Sequence, residues 1–256
     1  MHPENNMVVG KVVRPLERVS STNDAAAAWL RELPAPPDGS LVWALEQSAG
    51  RGRRGNHWQA DPGTNFTGSY LLYPTRLAVD EQFDLSRAVS LAAADCAAEL
   101  SGAPTTVKWP NDVFIGNRKV GGILIETQLK GAFLASAVVG IGLNVNQLRF
   151  PEEIVDRATS LALVAGHTYE LEEVIATLSR CLDGWYLRLK TDPAGLRAAY
   201  RERLFGYGKE REFIRRADSQ LFHATVTGTR PDGNILLEGT GGEMMFNLDE
   251  LAWCYE

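Results

Sequence analysis

The chain has little of several things that would define a function outright. Its three cysteines, Cys96, Cys181 and Cys254, are far apart in 256 residues and form no CxxC pair. An odd, dispersed set argues for free thiols in a reducing compartment, against a disulfide frame and against a zinc knuckle. The four histidines, His2, His57, His167 and His223, show no metal-ligand spacing. No apolar run approaches the ~20 residues of a membrane span, and the N-terminus lacks the basic-then-apolar form of a signal peptide. Positive charge is in deficit too, with 26 Lys and Arg against 32 Asp and Glu and a formal net charge of -6. A constitutive nucleic-acid binder would show a broad basic face. Internal repeats and low-complexity tracts are missing. The expectation is a cytoplasmic protein with no membrane and no DNA partner.

What is present is an ordinary globular composition, 45% hydrophobic and 23% charged, enough for a real core. The length suits one large domain, or one domain with a small appendage. Val8 to Val13 reads as a short strand. Ser20 to Asp24 forms a cap-like cluster before the helix formers Ala25 to Leu30. Leu41 to Leu45 and Asn65 to Tyr73 read as strands. Phe83 to Leu100 carries Leu85, Ala88, Val89, Ala92, Cys96 and Leu100 at helical spacing. Four more strand segments follow, at Thr105 to Trp109, Val113 to Ile115, Gly122 to Thr127 and Phe133 to Ile141, with tight turns that predict antiparallel pairing. Leu171 to Leu189 and Ala194 to Leu204 read as helices. After Phe205 the chain turns to short alternating segments, Arg211 to Arg215, Phe222 to Thr227, Ile235 to Glu238, Met244 to Leu248 and Leu251 to Tyr255. Pro231-Asp232-Gly233-Asn234 is a hairpin turn signal. This tail predicts a small β-barrel appended to the main domain.

Against the acidic background, Gly50-Arg51-Gly52-Arg53-Arg54-Gly55 puts three arginines and three glycines together. Such a segment resists helix and strand, and its N–H groups and charge suit a phosphate or carboxylate. Its glycines meet the spacing of a dinucleotide turn. Arg53-Arg54 crowd that turn, however, and Asn56-His57-Trp58 opens no helix, while the Lys-Ser/Thr of a P-loop is absent. Trp58 could stack on a base, close the loop over a ligand or anchor a core. Lys108-Trp109-Pro110-Asn111-Asp112 sets an amide and a carboxylate at a turn close to Lys119. A carboxylate between lysines can hold Mg²⁺ or orient an amine, and the lysines can balance phosphate charge. Gly140-Ile141-Gly142-Leu143-Asn144 permits close backbone approach at a strand end, or is a bulge and turn. Ser21-Thr22-Asn23 caps a helix, and the same groups turned into a cleft could bind a neutral polar ring.

Taken in order, Ser21-Thr22-Asn23, the Glu46-to-Gly55 run with Trp58, Lys108 to Asp112, Arg118 to Glu126, Gly140 to Asn146 and Asp156 to Leu161 resemble the biotin protein ligase family. The resemblance covers roughly residues 14–165 strongly, and the C-terminal barrel in kind. It implies an α+β fold, with a mixed sheet and helices related to class II aminoacyl-tRNA synthetases and then a C-terminal SH3-like β-barrel. The implied domains are residues 1–205, catalytic, and 206–256. Ser21 lies close to Met1, so the single-function form without a DNA-binding domain is expected. The implied activity converts biotin and ATP to biotinyl-5′-AMP, releasing pyrophosphate, then transfers biotin to a lysine of a carboxylase carrier domain. ATP, biotin and Mg²⁺ are the implied small molecules. The carrier domain is the implied partner, and a homodimer is admitted.

By position, the resemblance assigns biotin contacts to Ser21, Thr22, Asn23, Gln47, Arg51, Gly52, Arg53, Lys119 and Gly122. It assigns adenylate contacts to Arg51, Arg53, Trp58, Asn111, Lys119 and Asn144. Catalytic roles fall to Lys119, Arg53, Asp112 and Lys108, with Asp112 also able to hold a metal. There are departures. Asn56-His57 replaces a pair that is often more basic, and Gly68 stands where a bulkier strand residue is common, which would alter the biotin-pocket floor. A lipoate or octanoate ligase shares the fold but lacks the arginine loop. A non-enzymatic biotin sensor or nucleic-acid binder is disfavoured by the charge.

Overall fold

A computed structural model describes residues 8–254; His2, Tyr255 and the outer ends of the two expected domains lie outside them. The elements run β1 (Val13–Val19), α1 (Thr22–Trp29), β2 (Ser40–Gln47), β3 (Phe66–Leu72), α2 (Phe83–Ser101), β4 (Thr105–Lys108), β5 (Asp112–Ile115), β6 (Arg118–Lys130) and β7 (Phe133–Leu143). Then come α3 (Leu161–Ala165), α4 (Leu171–Thr191), α5 (Pro193–Arg203), β8 (Glu210–Arg215), β9 (Gln220–Thr229), β10 (Ile235–Gly239), β11 (Gly242–Phe246) and β12 (Leu251–Trp253).

The first seven strands make one mixed sheet in the order β1-β2-β3-β7-β6-β5-β4. Only β1 and β2 pair in parallel; the other neighbours are antiparallel, as the tight turns require. Alternation along the strands sets the layers. Leu41, Trp43, Tyr70 and Val139 face the large core with α2 and α4. Val42, Leu71 and Val138 face Ala26 and Trp29 of α1 on the other side. The site described below lies at the end of that second, thinner layer.

The last five strands form an antiparallel sheet in the order β11-β10-β9-β8-β12, consistent with the small SH3-like unit expected. The core is continuous between the two sheets, since Phe213, Val226 and Leu237 join the same cluster as α2. Arg87 of α2 cements the joint. Its side chain, only 1% exposed, pairs with Asp84 at 2.5 Å and donates to Thr229 Oγ1 at 3.0 Å and to the Arg230 carbonyl.

Two features differ from the sequence reading. Val8 to Val13 is not a strand; β1 begins at Val13. Gly10 turns the chain at φ 79, and the Val8 and Val9 amides are taken by Asp183 Oδ1 at 2.7 and 3.0 Å. The short helix α3 was not foreseen. Its five residues are too few to show a period, and its capping Ser160 reads equally well as a loop serine.

Candidate functional site

One cleft gathers Ser21, Thr22, Asn23, Gln47, Arg51, Gly52, Arg53, Trp58, Asn111, Asp112, Lys119 and Gly122. They come from α1, β2, the arginine loop, the β4–β5 turn and β6, so the fold unites segments a hundred residues apart.

One end is neutral and polar. Gln47 Oε1 accepts from the Thr22 amide at 2.7 Å and from its hydroxyl at 3.1 Å. That glutamine supplies the cap of α1, and Ser21 makes no capping bond with its side chain. Asn23 donates to Glu126 Oε2 at 2.7 Å, and its Oδ1 accepts from Ser69 at 2.6 Å. Ser69 also meets Thr22 Oγ1 at 2.8 Å. Ser69 and Glu126 carry this end of the site but escaped sequence reasoning, because a strand serine and a strand glutamate carry no signature of their own. Gly68, expected in the pocket floor, points the other way. A Cβ there would meet Phe66 and Leu41 in the core, so Ser69 is the β3 residue that faces the site.

The other end is cationic. Lys119 Nζ lies 2.7 Å from Asp112 Oδ1 and 5.9 Å from the Trp58 ring centroid. Asn111 donates to the Ile123 carbonyl at 2.8 Å and accepts from its amide at 2.9 Å, which locks the turn to β6. Arg53 is half-buried. Burial pulls its pKa below the ordinary guanidinium value, and neighbouring Arg54 adds to the effect. Trp58 lies across β6 and β7: a Cβ on Gly142 would come within 2.4 Å of the indole, and one on Gly122 within 3.4 Å. These glycines therefore serve close approach, and Gly140 and Gly142 lie within β7 and not in a bulge. The Trp58 Nε1 is buried with no hydrogen-bond partner, which is costly unless something else accepts from it.

The arginine loop forms a short 3₁₀ turn at Arg53–Gly55, with Arg54 at φ 57. Its own side chains hold it from outside. Arg51 pairs with Asp24 at 2.7 Å and Glu126 at 3.1 Å. Arg54 pairs with Asp249 at 2.6 Å and donates to the Leu248 carbonyl, tying the loop to the C-terminal sheet. Asp249 is exposed, so the ion pair is weak. We expect Asp249→Ala to raise trypsin cleavage after Arg53 and Arg54 by up to about five-fold in the ligand-free protein, read by timed digestion.

Two expected site residues lie elsewhere. Asn144 is buried beneath the cleft and donates to the Thr159 carbonyl at 3.0 Å, holding the 158–161 segment against β6. Lys108 points away from the cleft, towards the C-terminal sheet. It is only 4% exposed, and its ammonium sits 5.2 Å from Phe114, 5.7 Å from Phe205 and 5.2 Å from Trp253. Sequence proximity to Asp112 suggested a phosphate contact, and the two residues are indeed partners across the β4–β5 hairpin, but the long Lys108 side chain carries its ammonium in among those three rings and not to the cleft. Burial lowers the Lys108 pKa from 10.5 to about 8, against the opposing pull of Asp112. The unfolded chain keeps this proton up to about 10.5 while the fold sheds it near 8. Unfolded molecules bind more protons between those values, so stability rises with pH across that window, by up to roughly 3 kcal/mol. Urea titrations at both ends of the window should show this rise, and Lys108→Met should flatten it relative to wild type.

A dedicated metal cage is not supported. Asp112 is the one carboxylate among the described residues lining the cleft, and it is already paired with Lys119. No cluster of three potential ligands occurs among the described residues. Nor is any described helix long and apolar enough to cross a membrane.

A family model described as the biotin/lipoate A/B protein ligase family matches residues 16–144. The bifunctional ligase/repressor BirA of Bacillus subtilis (strain 168) is 32% identical over 209 residues, 80% of this chain and 63% of that protein. The chain therefore spans less than two thirds of that relative. A biotin--[acetyl-CoA-carboxylase] ligase of Paracoccus denitrificans is 32% identical over 242 residues, 92% of this chain and 98% of that one. Among solved structures, a biotin protein ligase from Aquifex aeolicus in complex with biotin and ATP matches with a TM-score of 0.78 and 26% identity, covering 96% of this chain and 100% of that one.

Proposed function

Because the chain belongs to the biotin/lipoate A/B protein ligase family, we propose that it activates biotin with ATP and transfers it to a lysine of a carboxylase carrier domain. The observation that carries this reading is one cleft with two chemically distinct ends. A ureido ring has N–H donors and a carbonyl acceptor, which Ser21, Thr22, Asn23 and Gln47 can match without charge. Lipoate has no such head, and would offer those groups nothing to exchange for the hydrogen bonds they make among themselves. The relative from Paracoccus denitrificans, nearly fully spanned, supports biotin as well.

In the first step a biotin carboxylate oxygen bonds to the α-phosphorus of ATP, and the bond to the bridging oxygen breaks to release pyrophosphate. Two anions must meet, so the chain's work is positioning and charge stabilisation. Lys119 and Arg53 are suited to the carboxylate and α-phosphate. Arg51 would leave Asp24 and Glu126 to close on the same charge. Trp58 and Asn111 border the nucleotide. Mg²⁺ would arrive on the phosphates of ATP, keeping most of its water, as this ion usually does. In the second step the acceptor amine attacks the acyl carbon. The C–N bond forms, the bond to the phosphate oxygen breaks, and AMP leaves. Asp112, at the cleft mouth beside Lys119, would orient the amine and receive its proton.

We assign residues up to 205 to the catalytic unit and those from 206 to the C-terminal unit, and expect the protein to work in the cytoplasm. The three described cysteines are unpaired, which suits that setting. Pyrophosphate release from ATP tests the reading. It should require biotin and be absent with lipoate in its place; biotin-independent release, or equal release with lipoate, would overturn it.

A further inference from the structure

The turn carrying Asn111 and Asp112 is gripped from behind by the C-terminal sheet. Trp253 of β12 donates its indole N–H to the Trp109 carbonyl at 3.1 Å. Trp109, 2% exposed, donates its own indole N–H to the Gly233 carbonyl of the β9–β10 turn at 2.8 Å. Trp253 is itself wedged by Phe213 at 4.8 Å and Phe205 at 5.7 Å. Just before the turn, the Phe205 amide donates to the Val107 carbonyl at 2.9 Å, and the Lys108 ammonium rests against the Trp253 ring. On its cleft side the same turn is tied to β6 by Asn111 and by the Asp112–Lys119 pair. Asp112 is thus set between two grips, one from each sheet.

We propose that Trp253 is a positioning residue for the transfer step, and that through the Trp109 carbonyl the C-terminal sheet holds Asp112 where it meets the incoming amine. The assignment rests on the ligase reading above. It gives the C-terminal unit a part in the chemistry although none of its strands lines the cleft. A carboxylate that orients an amine tolerates little displacement, since small shifts in a reacting geometry cost rate steeply. Losing one hydrogen bond behind the turn should therefore affect transfer more than it affects folding.

The test is Trp253→Phe in the full chain. It keeps an aromatic ring against Lys108 and removes the N–H. Each half-reaction is measured alone: pyrophosphate release from biotin and ATP, then single-turnover transfer from synthetic biotinyl-5′-AMP to a purified biotin carrier domain. Expected is a fall of about ten-fold in the transfer rate, with KM for the carrier and the adenylation rate within about two-fold of wild type. Hydroxylamine needs no carboxylate to orient it, so it should consume the adenylate equally fast on both proteins. Unchanged transfer to the carrier overturns the role, and so does a parallel loss in adenylation and in the hydroxylamine reaction, which would mark a merely structural residue. If wild type itself releases no pyrophosphate, the ligase reading fails. The clamp is then judged by exchange of the Trp109 indole N–H, expected to be several-fold faster in Trp253→Phe; unchanged exchange overturns it.

Discussion

Lys119→Ala should slow adenylate formation by about 10²–10³-fold while weakening ATP binding by less than about ten-fold. Charge is the reason for the asymmetry. In the ground state a bound nucleotide would also meet Arg51 and Arg53, which line the same cleft, so one missing cation would be partly covered. In the transition state the biotin carboxylate and the α-phosphate share one small volume, and Lys119 is suited to that point. Its neighbour Asp112, 2.7 Å away, holds the ammonium at the mouth of the cleft until an anion arrives. Lys119 is itself a third exposed, so its loss should leave the fold standing. Lys119→Arg should recover only part of the rate, because a planar fork does not reproduce a point charge. Single-turnover adenylation and nucleotide calorimetry on the same samples decide the matter. Equal losses in rate and in binding would mean that Lys119 binds substrate and transition state alike.

Much of this site was legible in the sequence, for identifiable reasons. Arg51 and Arg53 stand out as arginines clustered among glycines in an acidic chain, although that cluster alone suits a solvated loop equally well, and it is the order of the motifs around it that resembles the family and marks a site. Ser21, Thr22 and Asn23 stand out because capping residues precede an alanine run. What was not legible depended on facing and on distance. Lys108 was assigned to the cleft from its closeness to Asp112 in sequence; the β4–β5 register does make them partners across a hairpin, and only the aromatic contacts of Lys108 show where its charge goes. Ser69 replaced Gly68 because parity along β3 decides which face is wet, and a run of seven buried residues hides that parity. Glu126 and Asp249 act on the arginine loop from 75 and 195 residues away, and no local pattern carries such information. The fold was more readable than the site, since periodicity and turn chemistry specify elements locally. The strand read at Val8 gave way to the Gly10 turn and to Asp183, 175 residues away, and helix α3 was too short to show a period.

The second large effect is expected from Gly140→Ala. A Cβ at this position would lie 2.2 Å from Asn23 Oδ1, 3.0 Å from its Cγ and 3.2 Å from the Leu124 carbonyl oxygen. Asn23 has little freedom to withdraw. Its amide is held by Glu126 at 2.7 Å and its oxygen by Ser69 at 2.6 Å, and it is only 3% exposed. The methyl must therefore turn Asn23 away and break both bonds. We expect KM for biotin to rise by about 10²-fold, with a stability loss of about 1–3 kcal/mol from overpacking. Gly142→Ala meets the Trp58 ring instead, at 2.4 Å. Its effect should fall on the nucleotide, with KM for ATP rising more than KM for biotin. Gly184→Ala provides the control. It lies in the middle of α4 with nothing within 4 Å of an added Cβ, so it should stabilise the helix by up to about 1 kcal/mol and leave both constants alone. Two glycines two residues apart on one strand should thus divide the cleft into its two ends. If both variants raised the same KM, the neutral and cationic ends would not be separate subsites, and the reading of one ring at Asn23 and one base at Trp58 would have to be given up.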